Sequence, residues 1–478
     1  MKRFFHFFSA FTLLLAACGN TLGQAGSLDA NFGDGGYVKT YFGNEGKFNA
    51  LLLQPDGKIV AIGTQANTDS KVVRYHSDGT LDESFGSNGL ATLNFKPCSD
   101  GGAGALLPDG KMLVAVAEMG QFCYEIFPKI ARLNSDGSLD ESFGTAGFID
   151  LSNLGKLENF SNQILVYPDG DFVFTGTTQN YDGSPCSVLL AKFKEDGSPD
   201  PAFGQAGVLS IQTNFSAIGQ VTATFHLFGR MLIGISGYKL ALYRVNEFGT
   251  MDGTFGSGGK VEVPFPTEDV EVGGIATLAD GTILIGASSG YSSTDFAFAA
   301  KRLATGEPDA SFGINGLAKI PFNENCHATG LALQPDGKIL VGGMAGSGDG
   351  EDYFLTRFLA NGSIDNTFGT GGVAKHLDPA ADHCATTLQI QPDGKLLLAG
   401  FTVQGKASMA RFQLESALAT NPTPAPVSCY RLSPNPSSDL AELRFSLLES
   451  GLTRLSLSNL AGDVIWQTEK LLPGGEHQ

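Results

Sequence analysis

One short motif, Asp-x-x-Phe-Gly, recurs seven times along this 478-residue chain and constrains its fold more than any other feature. The copies are Asp29 with Phe32, Asp82 with Phe85, Asp140 with Phe143, Asp200 with Phe203, Asp252 with Phe255, Asp309 with Phe312, and Asp365 with Phe368. Successive aspartates lie 53, 58, 60, 52, 57 and 56 residues apart. That period is typical of propeller blades and longer than most helical repeats. A chain of this length exceeds one simple core, so we expect a repeat array over residues 26–415.

A second marker recurs in phase with the first and predicts a hairpin in each unit. It is Pro55-Asp56-Gly57-Lys58 in the first unit, and the fourth unit departs with Leu227-Phe228-Gly229. Asp-Gly between two apolar runs indicates a tight hairpin, for which we expect a type I′ turn with positive φ at both central residues.

Further turns and strands complete a four-stranded unit. The third strand of each unit is predicted to carry one basic residue: Arg74, Arg132, Lys192, Arg244, Arg302, Arg357 and Arg411. The hairpin strands are almost continuously apolar, which indicates burial on both faces. The predicted fold class is therefore all-β: a seven-bladed β-propeller of four-stranded antiparallel blades, followed by a small incomplete β-sandwich tail. The ring is expected to close by pairing the first strand after Phe32-Gly33 with the final blade; an open β-solenoid is the second choice.

These markers resemble the delta-60 repeat family, whose units combine a Pro-Asp-Gly-Lys hairpin, a strand with Arg, and Asp-Gly-Ser-Leu-Asp-x-x-Phe-Gly. The resemblance covers residues 27–415. It implies a secreted or surface propeller and no defined activity.

The marker residues have structural and functional interpretations. We expect the aspartates to bond their own turn backbone and the phenylalanines to be buried wedges, and we place metal binding second. The recurrent basic residues either pair with a carboxylate of their own blade, which we favour, or line the channel and bind anionic sugar. The acidic run Gly348-Asp349-Gly350-Glu351-Asp352 lacks calcium-loop spacing and predicts a solvated loop. We predict no catalytic, metal or cofactor site, and no cofactor.

Cysteine and histidine are sparse. Cys98 and Cys123 flank one hairpin and are candidates for a disulfide, whereas Cys326 and Cys384 occupy comparable places on neighbouring blades. Cys326-His327 and His383-Cys384 suggest metal or thiol chemistry, but separate blades give them no fixed geometry, so structural roles are favoured. Function is expected in whatever differs between blades.

The amino-terminal residues 1–25 predict a signal peptide with a basic start and a short apolar stretch. Cleavage after Ala25 is favoured. The alternative is the lipobox-like Leu15-Ala16-Ala17-Cys18, in which Cys18 is lipidated and anchors the chain. No other apolar run is long enough to span a bilayer, so no transmembrane span is expected in the mature chain.

Residues 416–428 predict a stiff Pro/Thr/Ala-rich linker, and residues 429–478 a small β-sandwich. The start Leu432-Ser433-Pro434-Asn435-Pro436 and the turn Asn459-Leu460-Ala461-Gly462 resemble the C-terminal sorting domain of the type IX secretion system of Bacteroidota. That resemblance implies export to the outer surface or beyond and a secretion machinery as partner. The family's last strands are lacking here, so the tail is predicted to be truncated.

The chain has 31 Lys plus Arg against 49 Asp plus Glu, a formal charge of −18, which argues against nucleic acid as a partner. We expect a secreted or cell-surface noncatalytic propeller that binds or displays a glycan or protein. The alternatives are a polysaccharide hydrolase or lyase with its site in the channel, and a structural spacer.

Overall fold

The computed structural model describes most of the propeller and part of the tail. The described residues are 24–42, 45–65, 70–93, 102–119, 126–154, 163–178, 186–215, 218–237, 239–265, 270–289, 295–322, 324–346, 351–376, 383–415, 427–433, 442–447, 451–458, 464–472 and 475–477. From residue 427 onward only the strand backbone is described. Cys98, Cys123 and Gly348–Gly350 lie outside this set, so the predicted disulfide stays a prediction. The predicted solvated loop is wrong for its last residues, because Glu351 and Asp352 begin a strand and Asp352 is buried.

Seven four-stranded antiparallel sheets follow one another along the chain, as predicted. The first strand, β1 (Tyr37–Thr40), belongs to blade 7. Blades 1 to 3 comprise β2 (Gly46–Leu53), β3 (Ile59–Gln65), β4 (Ser70–Tyr75), β5 (Leu90–Leu93), β6 (Gly104–Leu106), β7 (Met112–Met119), β8 (Ile126–Leu133), β9 (Phe148–Asp150), β10 (Gln163–Val166), β11 (Phe172–Thr178), β12 (Ser187–Phe193) and β13 (Val208–Gln212). Blades 4 to 7 comprise β14 (Val221–Phe225), β15 (Met231–Ser236), β16 (Leu240–Val245), β17 (Lys260–Val263), β18 (Val270–Thr277), β19 (Ile283–Ser289), β20 (Phe296–Arg302), β21 (Leu317–Pro321), β22 (Asn325–Leu333), β23 (Ile339–Gly346), β24 (Glu351–Phe358), β25 (Val373–His376), β26 (His383–Ile390), β27 (Leu396–Thr402) and β28 (Ala407–Phe412).

Each blade begins with an inner strand that borders the central channel and ends with an outer strand. In blade 1 the order is β2-β3-β4-β5, and β2 runs into the hairpin turn at residues 55–58. We call the end of the ring that carries these turns the hairpin face, and the opposite end, where inner strands begin, the loop face. The second strand is buried along nearly its whole length, as in β3, because neighbouring blades cover both sides of the sheet.

The ring closes through its two ends. Blade 7 has the order β1-β28-β27-β26, so the first strand of the chain supplies the outer strand of the last blade. Tyr37 pairs with Ala410 and Thr40 with Ala407. This pairing is the predicted closure, and it excludes an open solenoid because it leaves no unpaired terminal blade.

The hairpin turn differs from the predicted type I′ turn. Only Gly57 has a positive φ, at 83°. The amide of Gly57 donates to the carbonyl of Gln54, and the amide of Gln54 donates to the carbonyl of Lys58. This is a three-residue loop with a type I turn and a left-handed glycine. Pro55 explains the difference, because it would be the first residue of a type I′ turn around Asp56-Gly57 and has no amide hydrogen to donate to the carbonyl of Lys58.

The tail strands are β29 (Val427–Ser433), β30 (Glu442–Leu447), β31 (Gly451–Ser458), β32 (Val464–Leu472) and β33 (Gly475–His477). The β29, β30 and β33 strands form one sheet and β31 and β32 another. The sorting-domain assignment remains a prediction. In the described part of the chain, no helix is long and apolar enough to cross a membrane.

Candidate functional site in the central channel

The repeat residues form an ion pair on the hairpin face of every blade. In blade 1 the Nε of Arg74 donates to the Oδ2 of Asp82 over 2.7 Å, and Lys58 of the hairpin turn reaches the same oxygen at 3.1 Å. The guanidinium also lies 4.7 Å from the ring centre of Phe85, which is fully buried. The aspartate pairs of the other blades are Arg132–Asp140, Lys192–Asp200, Arg244–Asp252, Lys301–Asp309, Arg357–Asp365 and Arg411–Asp29.

The basic residue of blade 5 is Lys301, not the predicted Arg302. Lys301 pairs in register with Leu284 and lies 3.1 Å from Asp309. Arg302 takes the next position, which faces the other side of the sheet and is 5% exposed. The equivalent residues of the other blades are Tyr75, Leu133, Phe193, Val245, Phe358 and Phe412. Two basic residues stand side by side, and only strand register distinguishes their faces.

The arginine of this pair also joins neighbouring blades. Arg74 donates from Nη1 to the backbone carbonyl of Ser135 in blade 2 over 2.6 Å. Arg132 likewise donates from Nη1 to the backbone carbonyl of Glu195 in blade 3 over 2.6 Å. At the closure, Arg411 of blade 7 pairs with Asp29 and donates to the carbonyl of Ser77 in blade 1. These residues therefore hold the ring together, and none of them lines the channel cavity described below.

The ion pairs keep the repeat aspartates charged. The pKa is lowered for all seven: Asp29, Asp82, Asp140, Asp200, Asp252, Asp309 and Asp365. Burial of Asp252 favours its neutral acid, but hydrogen bonds from Thr254 and the charges of Arg244 and Arg230 outweigh it and lower the pKa to about 2. No group of three or more metal-ligating side chains occurs among the described residues.

The central channel contains a cavity of about 760 Å³ near the loop face. Its lining comes from the inner strands of all seven blades and includes many neutral hydrogen-bonding side chains: Asn49, Gln163, Gln220, Thr222, Asn325, Thr329, Thr386, Thr387 and Gln389. The Oγ1 of Thr329 is buried and has no hydrogen-bond partner. The cavity has the size of ligand pockets for small molecules.

One position of the inner strand changes identity from blade to blade. The register places Lys47 opposite Thr64, Glu271 opposite Ser288, His327 opposite Met344 and Cys384 opposite Phe401, at equivalent points of blades 1, 5, 6 and 7. We call this the mouth position, because it lies near the loop-face end of the strand. Lys47, Glu271 and His327 line the cavity. The four blades are consecutive around the ring, so their differing side chains gather on one side of the channel.

A β-bulge follows the mouth position in each of these four strands. The register shifts between Phe48 and Ala50, Val272 and Gly274, Ala328 and Gly330, and Ala385 and Thr387. The bulged residue of blade 7, Thr386, donates from Oγ1 to the carbonyl of Phe48 in blade 1. Bulges change the direction of side chains and are frequent beside functional sites. They separate this side of the channel from the unbulged described strands of the other blades.

Glu271 and His327 form a direct pair across two blades. The Nδ1 of His327 donates to the Oε2 of Glu271 over 2.8 Å, and the His327 side chain is 11% exposed against 25% for Glu271. The contact between Nδ1 and the carboxylate fixes the orientation of the imidazole ring. The pair therefore offers a charged acceptor and an imidazole of defined orientation within the cavity.

The other cysteines and histidines of the predicted clusters serve packing. Cys326 and Cys384 are not at equivalent positions, because Cys326 pairs with Ala345 one register step from the mouth position. Neither cysteine forms a disulfide bond. His383 is buried, bonds the hydroxyl of Ser408 at 3.1 Å and stacks 5.2 Å from Tyr37. The structure thus separates His327, which lines the channel, from His383, which does not.

The chain is a seven-bladed β-propeller repeat protein. Four of its segments, residues 54–85, 107–143, 168–203 and 334–368, match the family model described as "Domain of unknown function (DUF5122) beta-propeller". No curated protein matches the chain.

Among solved structures, polysaccharide lyase Uly1 is 10% identical, with a TM-score of 0.44, covering 77% of this chain and 90% of that one. A PL25 ulvan lyase bound to -[GlcA(1-4)Rha3S]- is 12% identical, with a TM-score of 0.46 and coverages of 79% and 96%. The propeller domain of the Trilobed protease from Pyrococcus furiosus is 8% identical, with a TM-score of 0.40 and coverages of 80% and 100%. At these values no residue assignment is transferred to this chain, and its own strand pairing defines the fold.

Proposed function

We propose that the propeller binds a glycan at the mouth of its central channel and displays that binding site outside the cell. The observation that carries the proposal is the set of differing side chains at the mouth position, with Glu271 and His327 paired at 2.8 Å. In a repeat protein, residues that recur serve the repeat, whereas a converging set that does not recur has no such explanation.

The lining favours a ligand rich in hydroxyl groups. Side-chain amides such as Gln220 and Asn325 offer both a donor and an acceptor, as a sugar hydroxyl does. The Glu271 carboxylate accepts charge-assisted hydrogen bonds, which are stronger than neutral ones. A cavity of about 760 Å³ accommodates a short oligosaccharide segment and is too narrow for a folded protein partner.

Export is part of this proposal and rests on the sequence. The leader within residues 1–25 and the sorting-type tail at 429–478 both support a secreted or surface location. Cell fractionation of the full chain and of a variant lacking residues 429–478 tests it. We expect the full chain on the outer surface or in the medium and the shortened chain retained in the periplasm; equal distribution of both would contradict a sorting role for the tail.

The binding site is tested with the purified full chain against a panel containing a neutral glucan, a mannan, polygalacturonate and a sulfated galactan. We expect one class to be retained, and Glu271→Gln to weaken its binding at least tenfold, or about 1.4 kcal/mol. The matched control is Glu262→Gln, since Glu262 is exposed on outer strand β17 and forms an ion pair with Lys260. Retention of no polysaccharide, or equal binding by Glu271→Gln, would contradict the proposal.

The Glu271–His327 pair also favours a second candidate, cleavage of the bound polysaccharide. An imidazole oriented by a carboxylate is a competent general base for proton abstraction or for activating water. Incubation with the retained polysaccharide, followed by chromatography of products and ultraviolet absorbance of newly formed double bonds, distinguishes the two. Shorter products that disappear in His327→Asn identify an enzyme, whereas an unchanged polymer leaves the binding function.

A further inference from the structure

The amino-terminal residues Gln24, Ala25 and Gly26 are part of the folded ring. Ala25 is 2% exposed and packs in the cluster that contains Phe368 and Leu414. Its carbonyl accepts from the amide of Gly369 over 2.9 Å, and the side chain of Gln24 donates to the carbonyl of Gly369 over 2.8 Å. The favoured cleavage after Ala25 would therefore remove residues that contact blade 6.

These residues repeat a turn that every complete blade contains. In blade 1 the turn is Ser77-Asp78-Gly79, and the carbonyl of Asp78 accepts from the amide of Gly33. The same bond recurs from Gly86 to Asp136, Gly144 to Asp196, Gly204 to Phe248 and Gly313 to Asn361. In blade 7 the carbonyl of Leu414 accepts from Arg357, as that of Ser77 accepts from Arg411. Gln24-Ala25-Gly26, from the other end of the chain, completes this turn, with the carbonyl of Ala25 in the place of that of Asp78.

The glycine of this turn has the same conformation and the same close packing. Gly26 has a φ of +94°, and a Cβ atom there would lie 2.9 Å from the Cβ of Ala374. Gly79 has a φ of +88°, and its Cβ would lie 2.9 Å from Phe32. The repeat array thus begins at Gln24, two residues before the start that the sequence markers suggest.

Cutting between Ala25 and Gly26 would be costly in the folded ring. The amide of Gly369 would lose its acceptor, and a buried amide without a partner is unfavourable. A charged α-amino group would arise at Gly26, whose nitrogen donates to the carbonyl of Gln413, and it would lie close to the apolar side chains of Phe368 and Ala374. Cleavage upstream of Gln24 avoids both effects.

We propose that the leader is removed upstream of Gln24, so that the mature chain keeps Gln24 and Ala25 as the closing turn of blade 7. The sequence offers a site of this kind at the bond between Ala17 and Cys18 in Leu15-Ala16-Ala17-Cys18. It would leave residues 18–23 ahead of the ring. The closing turn lies on the hairpin face, opposite the channel mouth.

The proposal is tested by intact mass and amino-terminal sequencing of the mature protein isolated from cells that export it. We expect the first residue to be Gln24 or one that precedes it; a thioether-linked lipid on Cys18 would give a matching mass increase. A mature chain that starts after Gln24 would overturn the proposal, with or without a functional glycan site.

A second, independent test uses chains that lack the leader and keep all residues from their new first residue to Gln478. Variants that begin at Gly19 and at Gln24 should unfold at the same temperature, since both keep the closing turn. A variant that begins at Gly26 should unfold at a midpoint at least about 2 °C lower. Equal midpoints for all three would show that the turn contributes nothing to the ring and would contradict the proposal.

Discussion

At the scale of single residues, the propeller separates two kinds of polar side chain. Repeat residues such as Arg74 and Asp82 are buried against each other on the hairpin face, with an Nε-to-Oδ2 distance of 2.7 Å. Channel residues such as Glu271 and His327 differ between blades and lie beside the cavity. Arg302 belongs to neither kind, because it is buried where the other blades place apolar side chains.

Replacing Arg302 with leucine should stabilise the protein. The guanidinium makes one long hydrogen bond, from Nη1 to the carbonyl of Gly306 at 3.5 Å, and its Nε has no partner. Burial lowers the pKa of Arg302, which shows the cost of holding the charge there. Because apolar replacement of poorly compensated buried charge is favourable, we expect the free energy of unfolding to rise by about 1 to 2 kcal/mol. Urea denaturation measures it, and a destabilised Arg302→Leu would show that the guanidinium has a needed partner.

The repeat aspartates predict how stability depends on acid. Their folded-state pKa values are lowered, as for Asp252 at about 2, below the unfolded value of about 3.9. Their contribution is therefore complete above about pH 4 and is lost as the pH falls through the folded pKa. We expect the melting midpoint to fall most steeply between about pH 4 and pH 2.

The variant Asp82→Asn is the control for this prediction. It should be less stable at neutral pH, because Arg74 loses its charged partner, and should lose less stability on acidification. A melting midpoint that falls equally in both proteins would attribute the acid response to other groups.

At the scale of strands and blades, the interblade bond depends on arginine. Lys192 and Lys301 replace arginine in blades 3 and 5 and reach their own aspartates at 3.0 and 3.1 Å. Lysine lacks the forked guanidinium that donates to the next blade as Arg74 does to Ser135. Among the described residues, blades 3 and 5 therefore lack this hydrogen bond to the next blade.

The substitution Lys301→Arg should add that contact. Its Nη1 would reach the carbonyl of Ala360, the residue equivalent to Ser135, and raise the free energy of unfolding by about 1 kcal/mol. Chemical denaturation measures the change, and Lys192→Arg provides a repeat of the test in blade 3. Two variants no more stable than the parent would show that the bond is neutral.

The sequence predicts the elements well where a motif recurs and poorly where register decides. Seven blades and their closing strand follow from the periodic markers. The sequence does not distinguish Lys301 from Arg302, or the position of Cys326 from that of Cys384. A shift of one residue moves a side chain to the other face of a strand, and the markers do not define the register to one residue. The mouth position has no signal of its own in the sequence, because Lys47, Glu271 and His327 share no residue type. The bulge that follows each of them also changes the alignment of these strands with those of the other blades.

At the scale of the whole molecule, the ring depends on contacts between its two ends. The β1 strand supplies the outer strand of blade 7, and Asp29 pairs with Arg411. A proline at Val38, in the middle of β1, should therefore lower the melting midpoint more than a proline at Ala91, the equivalent residue of β5. Both substitutions disturb one outer strand, but only Val38→Pro weakens closure and exposes the edge of β28.

Differential scanning calorimetry and light scattering of the two proline variants test this prediction. The Val38→Pro protein should also associate, since an open sheet edge pairs with other chains. Equal melting midpoints and two monomeric proteins would show that closure adds no more than any other outer strand.

Recognition of the glycan by the channel residues is tested most directly by comparing one channel residue with one repeat residue in the same binding measurement. Isothermal titration calorimetry is carried out with the polysaccharide that the parent protein retains, on His327→Gln and on Asp82→Asn, each with its melting midpoint. We expect His327→Gln to bind at least tenfold more weakly at an unchanged melting midpoint, and Asp82→Asn to melt earlier but bind with the parent affinity. Undiminished binding by His327→Gln, together with weakened binding by folded Asp82→Asn, would place recognition on the repeat residues and contradict the account.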